Sequence, residues 1–398
     1  MSNASIMADG QKYVMNTYGR LPIAMVKGKG CHVWDADGKE YLDFVAGVAV
    51  NALGHCHPKV VEAIAVQAET LIHCSNLYWI EPQVKLAKLL VENSVYDKVF
   101  FANSGAEANE GAIKLARKYA KNSAHPERYE IITMLKSFHG RTLATLTATG
   151  QEKVQKGYDP LPLGFKYVPF NDIEALKAAI TPYTCAVMLE PVQGEGGVIA
   201  ADDTYLKQVR ALCDEKDMLV IFDEVQVGMG RTGKLFAYQH SGVEADIVTL
   251  AKALGGGTPI GAFMAKDAVA DSFHPGDHAS TFGGNPLVTA AGYASLQVIL
   301  EEDLPAHAMA MGKYMTEKFN ELKQEYSFIK ECRGKGLLLG LQLDIEGAPI
   351  VKECLDNGLL INCTAGTVLR FVPPLNITKE DIDAALVILK AAFDKTAK

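Results

Sequence analysis

The sequence predicts an α/β fold with a mostly parallel sheet covered by helices. Short runs rich in Val, Ile, Phe and Met alternate along the chain with helix-length periodic segments. Some of these runs are apolar enough to be strands buried on both faces, which is typical of parallel sheets. The 398 residues are 48% apolar and 22% charged, as in ordinary globular proteins, and no fixed-period repeat indicates a solenoid or propeller.

Six apolar runs are predicted strands of this sheet: residues 99–102, 130–135, 186–189, 219–222, 247–250 and 262–265. A helix is predicted to start near Ala106, directly after the first of them. Apolar residues of that segment recur at the spacing of one buried helix face, namely Ala108, Ala112, Leu115, Ala116 and Tyr119. Such a helix packs on a sheet.

The pattern changes after Pro286. A long helical region is followed by predicted strands over 334–343, 359–363 and 367–372, and by a last helix after Asn376. Thr378 and Asp381 form a capping-box-like pair at the start of that helix. This region predicts a second, smaller unit.

Composition excludes several classes of function. With 39 Lys and Arg against 47 Asp and Glu, the formal charge of −8 disfavours nucleic acid as a partner. No apolar stretch approaches the ~20 residues of a membrane-spanning helix, and the first residues lack a signal peptide's pattern. The eight cysteines contain no CxxC pair, so we expect a soluble cytoplasmic protein.

His55, Cys56 and His57 are assigned no metal, because neighbouring residues of an extended chain point to opposite faces.

Residues 103–108 form the first candidate site. A predicted strand ends at Ala102, and a turn of small residues then opens a helix. Free amides and the positive end of the helix dipole meet there, and Ser104 adds a hydroxyl. The pattern suits a phosphate, although for these few residues alone an ordinary helix N-cap is the simpler explanation.

The second candidate follows the apolar run 219–222, where Asp223 and Glu224 come directly after a buried strand. A buried acid needs a partner, which a metal ion, a substrate proton or a cationic ring nitrogen could each supply. Residues 228–233 match the GxGxxG dinucleotide pattern. That match fails in context, because 223–227 separate the strand from the glycines and Gly233 opens no clear helix.

Lys252 is the third candidate. It lies two residues beyond the apolar strand 247–250 and shortly before three consecutive glycines, 255–257. A lysine held in an apolar site can lose its proton and attack carbonyls, whereas a solvated lysine at a strand end has no such role.

A phosphate cradle, a strand-end acid and a strand-end lysine are together what pyridoxal phosphate requires. The chain resembles the class III (subgroup II) aminotransferases of fold type I, and within them most closely the acetylornithine aminotransferase group. The resemblance rests on ordered motifs along nearly the whole chain: NTYGRLPIAMVKGKG (16–30), WDADGKEYLDFVAGVAVNALGHCHP (34–58), NSGAEANE (103–110), SFHGRTLATLTATG (137–150), EPVQGEGG (190–197), FDEVQVGMGRTG (222–233), AKALGGGTPIG (251–261), STFGGNP (280–286) and LRFVPPL (369–375).

The resemblance implies a large cofactor-binding domain over residues 59–288, with a seven-stranded sheet between helices. It implies a smaller α+β domain built from both termini, residues 1–58 and 289–398. Family members are homodimers with shared active sites, so the same state is expected here.

The resemblance also implies the cofactor contacts. Lys252 would form the Schiff base with pyridoxal phosphate and move the proton during transfer. Asp223 would pair with the pyridinium nitrogen, and Gln226 would reach the ring hydroxyl. The remaining contacts implied are the phosphate cradle of Ser104, Gly105 and Ala106, the stacking ring of Phe138, and Thr281, which the family donates to the neighbouring subunit's phosphate.

Substrate contacts are implied in the same way. Arg370 would bind the α-carboxylate of 2-oxoglutarate, and Glu195 would pair with Arg370 when the substrate has no such group. Arg141 would hold the far carboxylate with bidentate geometry. Tyr18 and Ser280 match two further substrate-side positions.

The implied activity is transfer of the terminal amino group of N-acetylornithine to 2-oxoglutarate in arginine biosynthesis. Relatives that use succinylornithine, succinyl-diaminopimelate, ornithine or 4-aminobutyrate share the catalytic residues. Val48 stands where ornithine aminotransferases carry a tyrosine that holds a free α-amino group, which favours an acylated substrate. A non-catalytic cofactor-binding protein and a dinucleotide-dependent oxidoreductase stay open as alternatives.

Overall fold

The computed structural model describes residues 1–396 of the chain. Its helices are α1 (Asn3–Tyr13), α2 (Ala46–Ala49), α3 (Pro58–Thr70), α4 (Glu81–Glu92), α5 (Gly105–Asn122), α6 (Leu143–Ala148), α7 (Glu152–Gln155), α8 (Ile173–Ala179), α9 (Asp203–Glu215), α10 (Asp267–Ala270), α11 (Pro286–Glu301), α12 (Leu304–Glu325), α13 (Ala348–Asp356) and α14 (Lys379–Thr396). Two 3₁₀ helices span Ala237–His240 and Lys252–Gly255. Within those residues, no helix is both long and apolar enough to cross a membrane.

The strands are β1 (Met25–Lys29), β2 (His32–Asp35), β3 (Glu40–Asp43), β4 (Lys98–Ala102), β5 (Glu130–Met134), β6 (Phe165–Val168), β7 (Thr184–Leu189), β8 (Val192–Gln193), β9 (Ile199–Ala200), β10 (Leu219–Asp223), β11 (Ile247–Leu250), β12 (Gly261–Ala265), β13 (Ile329–Lys335), β14 (Leu338–Leu343), β15 (Leu359–Leu360), β16 (Asn362–Thr364) and β17 (Val368–Phe371).

A seven-stranded sheet forms the centre of the molecule, in the order β4-β12-β11-β10-β7-β5-β6. The pairs from β11 to β6 are parallel, whereas β12 runs antiparallel to both β11 and β4. The prediction of a mostly parallel seven-stranded sheet is therefore confirmed. All six predicted strands belong to it, and the sequence analysis missed β6, whose polar Lys166 interrupts its apolar residues.

Helices cover both faces of this sheet because its strands are apolar on both sides. Ile221 of β10 packs with residues of α5, while the adjacent Phe222 packs on the opposite face with residues of α9 and α11. The predicted face of α5 is buried, apart from a half-buried Tyr119. The observed start of α5 at Gly105 lies one residue before the predicted one.

Two predicted elements of the C-terminal region are wrong. Residues 334–343 are not one strand, because the chain reverses at Gly336, which has a φ of +55°, between β13 and β14. Residues 359–363 divide between β15 and β16, which belong to different sheets. The apolar character of these stretches predicted strands, but only the glycine's left-handed backbone would have revealed the turn.

The smaller sheets combine distant parts of the chain. Strand β15 pairs in parallel with β3, so the first small sheet has the order β1-β2-β3-β15. The second has the order β13-β14-β17-β16. Thr378 and Asp381 exchange backbone-to-side-chain hydrogen bonds at the start of α14, as the capping-box pattern predicted. The domain boundaries at residues 58 and 288 stay predictions, and the second falls within α11.

Candidate active site

A cavity of about 460 Å³ lies at the carboxyl edge of the parallel strands. Open α/β sheets place their ligands at this edge, because strand ends and helix N-termini meet there. The structure brings most of the predicted site residues to its walls: Ser104, Gly105, Ala106, Phe138, Arg141, Glu195, Asp223, Gln226 and Lys252.

The N-terminus of α5 forms one wall of the cavity. Ser104 caps the helix, with its Oγ accepting from the amide of Glu107 at 3.2 Å and its carbonyl accepting from Ala108 at 3.0 Å. Among residues 1–396, this leaves the amides of Gly105 and Ala106 without an acceptor. Unpaired amides at the positive end of an 18-residue helix form a binding site for an anion.

Asp223 lies at the end of β10 and is almost fully buried. Its Oδ2 accepts hydrogen bonds from Asn109 Nδ2 at 2.7 Å and contacts His139 Nδ1 at 2.8 Å. Its Oδ1 accepts from the amide of Val225 at 3.0 Å. These contacts fix the carboxylate within the cavity wall.

Glu224, the second acid of the pair, has a different role from Asp223. Its two carboxylate oxygens accept from the amides of Ala237 at 2.6 Å and Tyr238 at 2.8 Å. Burial raises the pKa of Glu224 to about 7. Because both oxygens hold the start of a 3₁₀ helix, Glu224 stabilises the fold beside the site.

The glycine-rich segment 228–233 is a series of turns, and Arg231 within it is buried. Arg231 Nη1 donates to the carbonyl oxygens of Leu337 and Pro373. The segment therefore joins the large sheet to the C-terminal strands. No helix opens at Gly233, as expected from the sequence, and the dinucleotide interpretation has no structural support.

Lys252 lies two residues after the end of β11 and has a φ of +46°. This left-handed conformation is unusual for a residue with a side chain. Burial lowers the pKa of Lys252 to about 8, against the opposing effect of Glu195. A pKa near 8 gives the lysine an accessible neutral form, which a nucleophile and a proton carrier both need.

An arginine–glutamate pair lies beside Lys252. Arg370, on β17, is 1% exposed and donates to Glu195 Oε1 through Nη1. The same Nη1 lies 3.4 Å from Gln226 Oε1, and Nε donates to Asn362 Oδ1 at 3.2 Å. Burial acts to raise the pKa of Glu195, but the charge and hydrogen bond of Arg370 outweigh it and hold the pKa below its usual value.

Arg141 is exposed at the edge of the cavity, with its guanidinium carbon 5.6 Å from the centroid of the Phe138 ring. This distance is within the range of a cation–π contact. Arg141 thus places one cation at the edge of the cavity, whereas Arg370 is not part of the lining and contacts Glu195 and Gln226, which are.

Sequence reasoning missed three residues that line the cavity: Asn109, His139 and Glu190. Glu190 directly follows β7, so the criterion that selected Asp223 would also have selected it. Its carboxylate accepts from the amide of Phe138 at 3.0 Å, and burial, followed by the charge of Asp223, raises its pKa well above the usual value. His139 and Asn109 carried no comparable signal, because only the fold brings them to Asp223.

The structure does not bring Tyr18, Ser280, Thr281 or Arg370 to the walls of this cavity. Tyr18 is 71% exposed, and Val48 is also exposed and absent from the lining. Ser280 and Thr281 line a neighbouring cavity of about 850 Å³. Ser280 Oγ nevertheless accepts from Asn103 Nδ2 at 3.2 Å, which places it close to the N-terminus of α5.

The residues present fit pyridoxal phosphate. The unpaired amides of α5 suit its phosphate, and the buried carboxylate of Asp223 suits a protonated ring nitrogen. A Cβ added to Gly105 would lie 2.7 Å from a methyl carbon of Val225, which also lines the cavity, so the backbone and Val225 could not pack this closely with a side chain at position 105. Within the part of the chain that the structure describes, His139 Nε2 and Asn109 Oδ1 are buried without hydrogen-bond partners.

Comparison with protein families decides the classification, because the model of the class-III aminotransferases matches residues 13–393. The chain belongs to the class III aminotransferases. The aminotransferase is 59% identical over 388 residues to a curated acetylornithine aminotransferase of Methanocaldococcus jannaschii, with 98% of each chain covered. It is 60% identical over 380 residues to an acetylornithine aminotransferase of Caldanaerobacter subterraneus subsp. tengcongensis, which covers 95% of this chain and 96% of the relative.

Solved structures confirm the predicted fold type for the aminotransferase. The ornithine aminotransferase of Toxoplasma gondii superposes with a TM-score of 0.95 at 36% identity, covering 100% of this chain and 96% of that one. The N-acetylornithine aminotransferase of Stenotrophomonas maltophilia K279a gives a TM-score of 0.85 at 39% identity, with 98% and 99% covered. The aminotransferase therefore shares the fold of enzymes named for two different amino donors.

Proposed function

We propose that this class III aminotransferase transfers the terminal amino group of N-acetylornithine to 2-oxoglutarate. The products are N-acetylglutamate 5-semialdehyde and glutamate, as arginine biosynthesis requires. Pyridoxal phosphate, when bound, supplies an aldehyde that carries the amino group and a ring that accepts electrons. The absence of disulfides among the eight cysteines supports a cytoplasmic location.

The chain's own residues would bind and orient the reactants. The amides of Gly105 and Ala106 would hold the phosphate. Asp223, oriented by Asn109 and His139, would keep the ring nitrogen protonated. Lys252 would hold the cofactor between reactions and carry the proton between the reacting carbon atoms, for which its lowered pKa is suited.

The Glu195–Arg370 pair is the observation that carries this proposal. The two half-reactions differ at the reacting carbon, which bears a carboxylate in 2-oxoglutarate and two hydrogens in N-acetylornithine. With Glu195 bound, Arg370 is neutralised and the site accepts a terminal CH₂. When Glu195 moves away, Arg370 is free for the α-carboxylate, while Arg141 holds the far carboxylate of either substrate.

The preference for an acylated donor is supported by the relatives. Two of them, both named acetylornithine aminotransferases, are 59% and 60% identical to the chain over nearly its full length. Val48 lies outside the lining of this chain's cavity, so only the resemblance connects it with donor choice. The ornithine aminotransferase of Toxoplasma gondii is less similar, at 36% identity.

The test of this activity is the absorbance of the purified protein during the first half-reaction. We expect a yellow band from the Lys252-bound cofactor that bleaches with N-acetylornithine at low concentration, and only slowly with ornithine or 4-aminobutyrate. Stronger bleaching by another amine would contradict the proposed donor. Absence of the band after addition of pyridoxal phosphate would contradict the enzymatic function itself.

We also propose a homodimer in which Thr281 contacts the cofactor of the neighbouring subunit. The surface near Thr281 carries large exposed apolar residues, among them Leu77, Tyr78 and the 94% exposed Trp79. Exposed apolar patches of this kind are typical of protein interfaces. Because Thr281 lies outside its own chain's main cavity, a second copy provides the phosphate that it would contact.

Thr281→Ala is expected to weaken binding of pyridoxal phosphate about tenfold to a hundredfold, as the loss of one hydrogen bond to a charged group predicts. Mixed dimers of Thr281→Ala with Lys252→Ala chains would contain one fully intact site if Thr281 acts across the interface. Those dimers should therefore regain wild-type cofactor affinity at one of their two sites and half of the wild-type activity. The Thr281→Ser variant should retain the wild-type affinity for the cofactor in homodimers and in mixed dimers. Mixed dimers as weak as the Thr281→Ala homodimer would show that the residue acts within its own chain.

A further inference from the structure

A group of three metal-ligating side chains lies outside the lining of the candidate active site, where the β1–β2 hairpin meets α14. One ligand atom from each of Cys31, His32 and Asp381 lies within 4.8 Å of the other two. Cys31 is buried, and the other two are half-buried. A thiol, an imidazole and a carboxylate are the three types of ligand that zinc takes in proteins.

The local backbone explains how two adjacent residues reach one point. His32 is the first residue of β2, whereas Cys31 lies in the turn between β1 and β2. The rule that neighbouring residues point to opposite faces holds for extended strands and not for a turn. That rule led the sequence analysis to expect no metal at His55, Cys56 and His57, and it does not apply at Cys31.

Of the two outer ligand atoms, Oδ2 of Asp381 is hydrogen-bonded, whereas Nδ1 of His32 is buried without a hydrogen-bond partner among residues 1–396. Nδ1 of His32 lies 2.7 Å from Glu40 Oε1, while its Nε2 lies 3.4 Å from Asp381 Oδ1. Oδ2 of Asp381 accepts from Thr378 Oγ1 at 2.8 Å at the start of α14. Nε2 of His32 and Oδ1 of Asp381 are therefore left to face each other. Glu40 lies close enough to Nδ1 to orient His32 once the two groups align, as carboxylates orient histidines bound to metals.

We propose that Cys31, His32 and Asp381 form a binding site for a divalent cation of the zinc type. Ligand atoms of a tetrahedral zinc ion lie about 3.2–3.8 Å apart, so atoms at the observed limit of 4.8 Å would have to approach by about 1 to 1.6 Å. Zinc would bind the thiolate, and the thiol proton would pass to solvent. The partial exposure of His32 leaves the fourth position to water. The ion would link the N-terminal hairpin to the last helix, so its role would be structural.

The test is zinc content of the cofactor-loaded protein after dialysis against metal-free buffer, with the melting temperature measured in parallel. We expect about one zinc per wild-type chain and a melting temperature that rises on zinc addition. Cys31→Ser and His32→Gln should each weaken zinc binding at least about a hundredfold and abolish that rise. Glu40→Gln, which removes only the orienting charge, should weaken binding about tenfold to a hundredfold.

Cys56→Ser is the matched control, because Cys56 is an exposed thiol between two histidines that could collect zinc nonspecifically. It should leave zinc content unchanged. His32→Gln keeps the experiment decisive if Cys31→Ser fails to fold, since His32 is only half-buried. The proposal is overturned if the wild type retains no zinc, if the Cys31 and His32 variants bind as the wild type does, or if only Cys56→Ser loses the ion.

Discussion

Replacing Lys252 with alanine is expected to lower turnover at least about a thousandfold, the largest effect of any substitution considered. In the proposed mechanism this one residue would both attach the cofactor and move the transferred proton, so both functions would be lost together. The lowered pKa of about 8 belongs to this particular amine, and no neighbouring lysine lines the cavity among the described residues. The measurement is the steady-state rate with N-acetylornithine and 2-oxoglutarate, together with the visible spectrum.

The Lys252→Ala protein should remain folded, because the substitution removes a buried amine and leaves the helix-terminus and Asp223 contacts in place. Its circular dichroism should match the wild type, and it should release pyridoxal phosphate on dialysis. Lys266→Ala is the matched control, since Lys266 forms a surface ion pair with Glu244 at 2.6 Å. Loss of a surface pair costs about 1 kcal/mol or less. Substantial turnover by Lys252→Ala would refute the assigned role.

The second large effect is a change of donor preference in Glu195→Ala. Without Glu195, the buried guanidinium of Arg370 has no carboxylate partner and will favour substrates with an α-carboxylate. We expect the ratio of kcat/KM for N-acetylornithine to that for glutamate to fall about tenfold to a hundredfold. Each factor of ten corresponds to about 1.4 kcal/mol of differential transition-state binding.

Two further variants test whether the charge of Glu195 is what controls donor preference. Glu195→Gln keeps the size and the hydrogen-bonding oxygen but removes the charge, so it should shift the ratio in the same direction by a smaller factor. Glu331→Ala removes a carboxylate that lies 2.7 Å from Arg333 on the exposed edge of β13, and it should leave the ratio unchanged. A Glu195→Ala enzyme with the wild-type ratio would mean that the pair does not control donor choice.

The wild-type preference should also be insensitive to pH near neutrality. Because Arg370 holds the pKa of Glu195 below its usual value, the glutamate stays ionised above a pH of about 4.5. The contribution of the pair to stability is therefore present above that pH and is lost as the pH falls through the lowered pKa.

Much of the central sheet and the candidate site could be predicted from the sequence. Strands such as β10 are continuous apolar runs, and the residues that follow them lie at the sheet edge where ligands bind. That rule placed Ser104, Asp223 and Lys252 in one cavity before the structure was known. It is a local rule, because each of these residues adjoins its own strand.

Features that depend on distant parts of the chain were harder to predict. The contact of Asn109 with Asp223 joins a helix to a strand 114 residues later. The predicted strand over 359–363 divides between two sheets because β15 finds its partner in β3, and nothing in the local pattern indicates that partner. The periodicity of apolar residues indicates which side chains are buried, whereas the pairing of strands depends on the whole fold.

The pairing of β3 with β15 has a consequence for biosynthesis. Leu42 pairs with Leu359, so the N-terminal sheet lacks its fourth strand until nearly all of the chain has left the ribosome. Arg370 is translated later still, so Glu195 cannot pair with it until the segment between them has been synthesised. Contacts between such distant residues form slowly, because a long loop must close first. The central sheet can therefore assemble during translation, while the Glu195–Arg370 pair, to which we attribute donor choice, forms only as the protein is released.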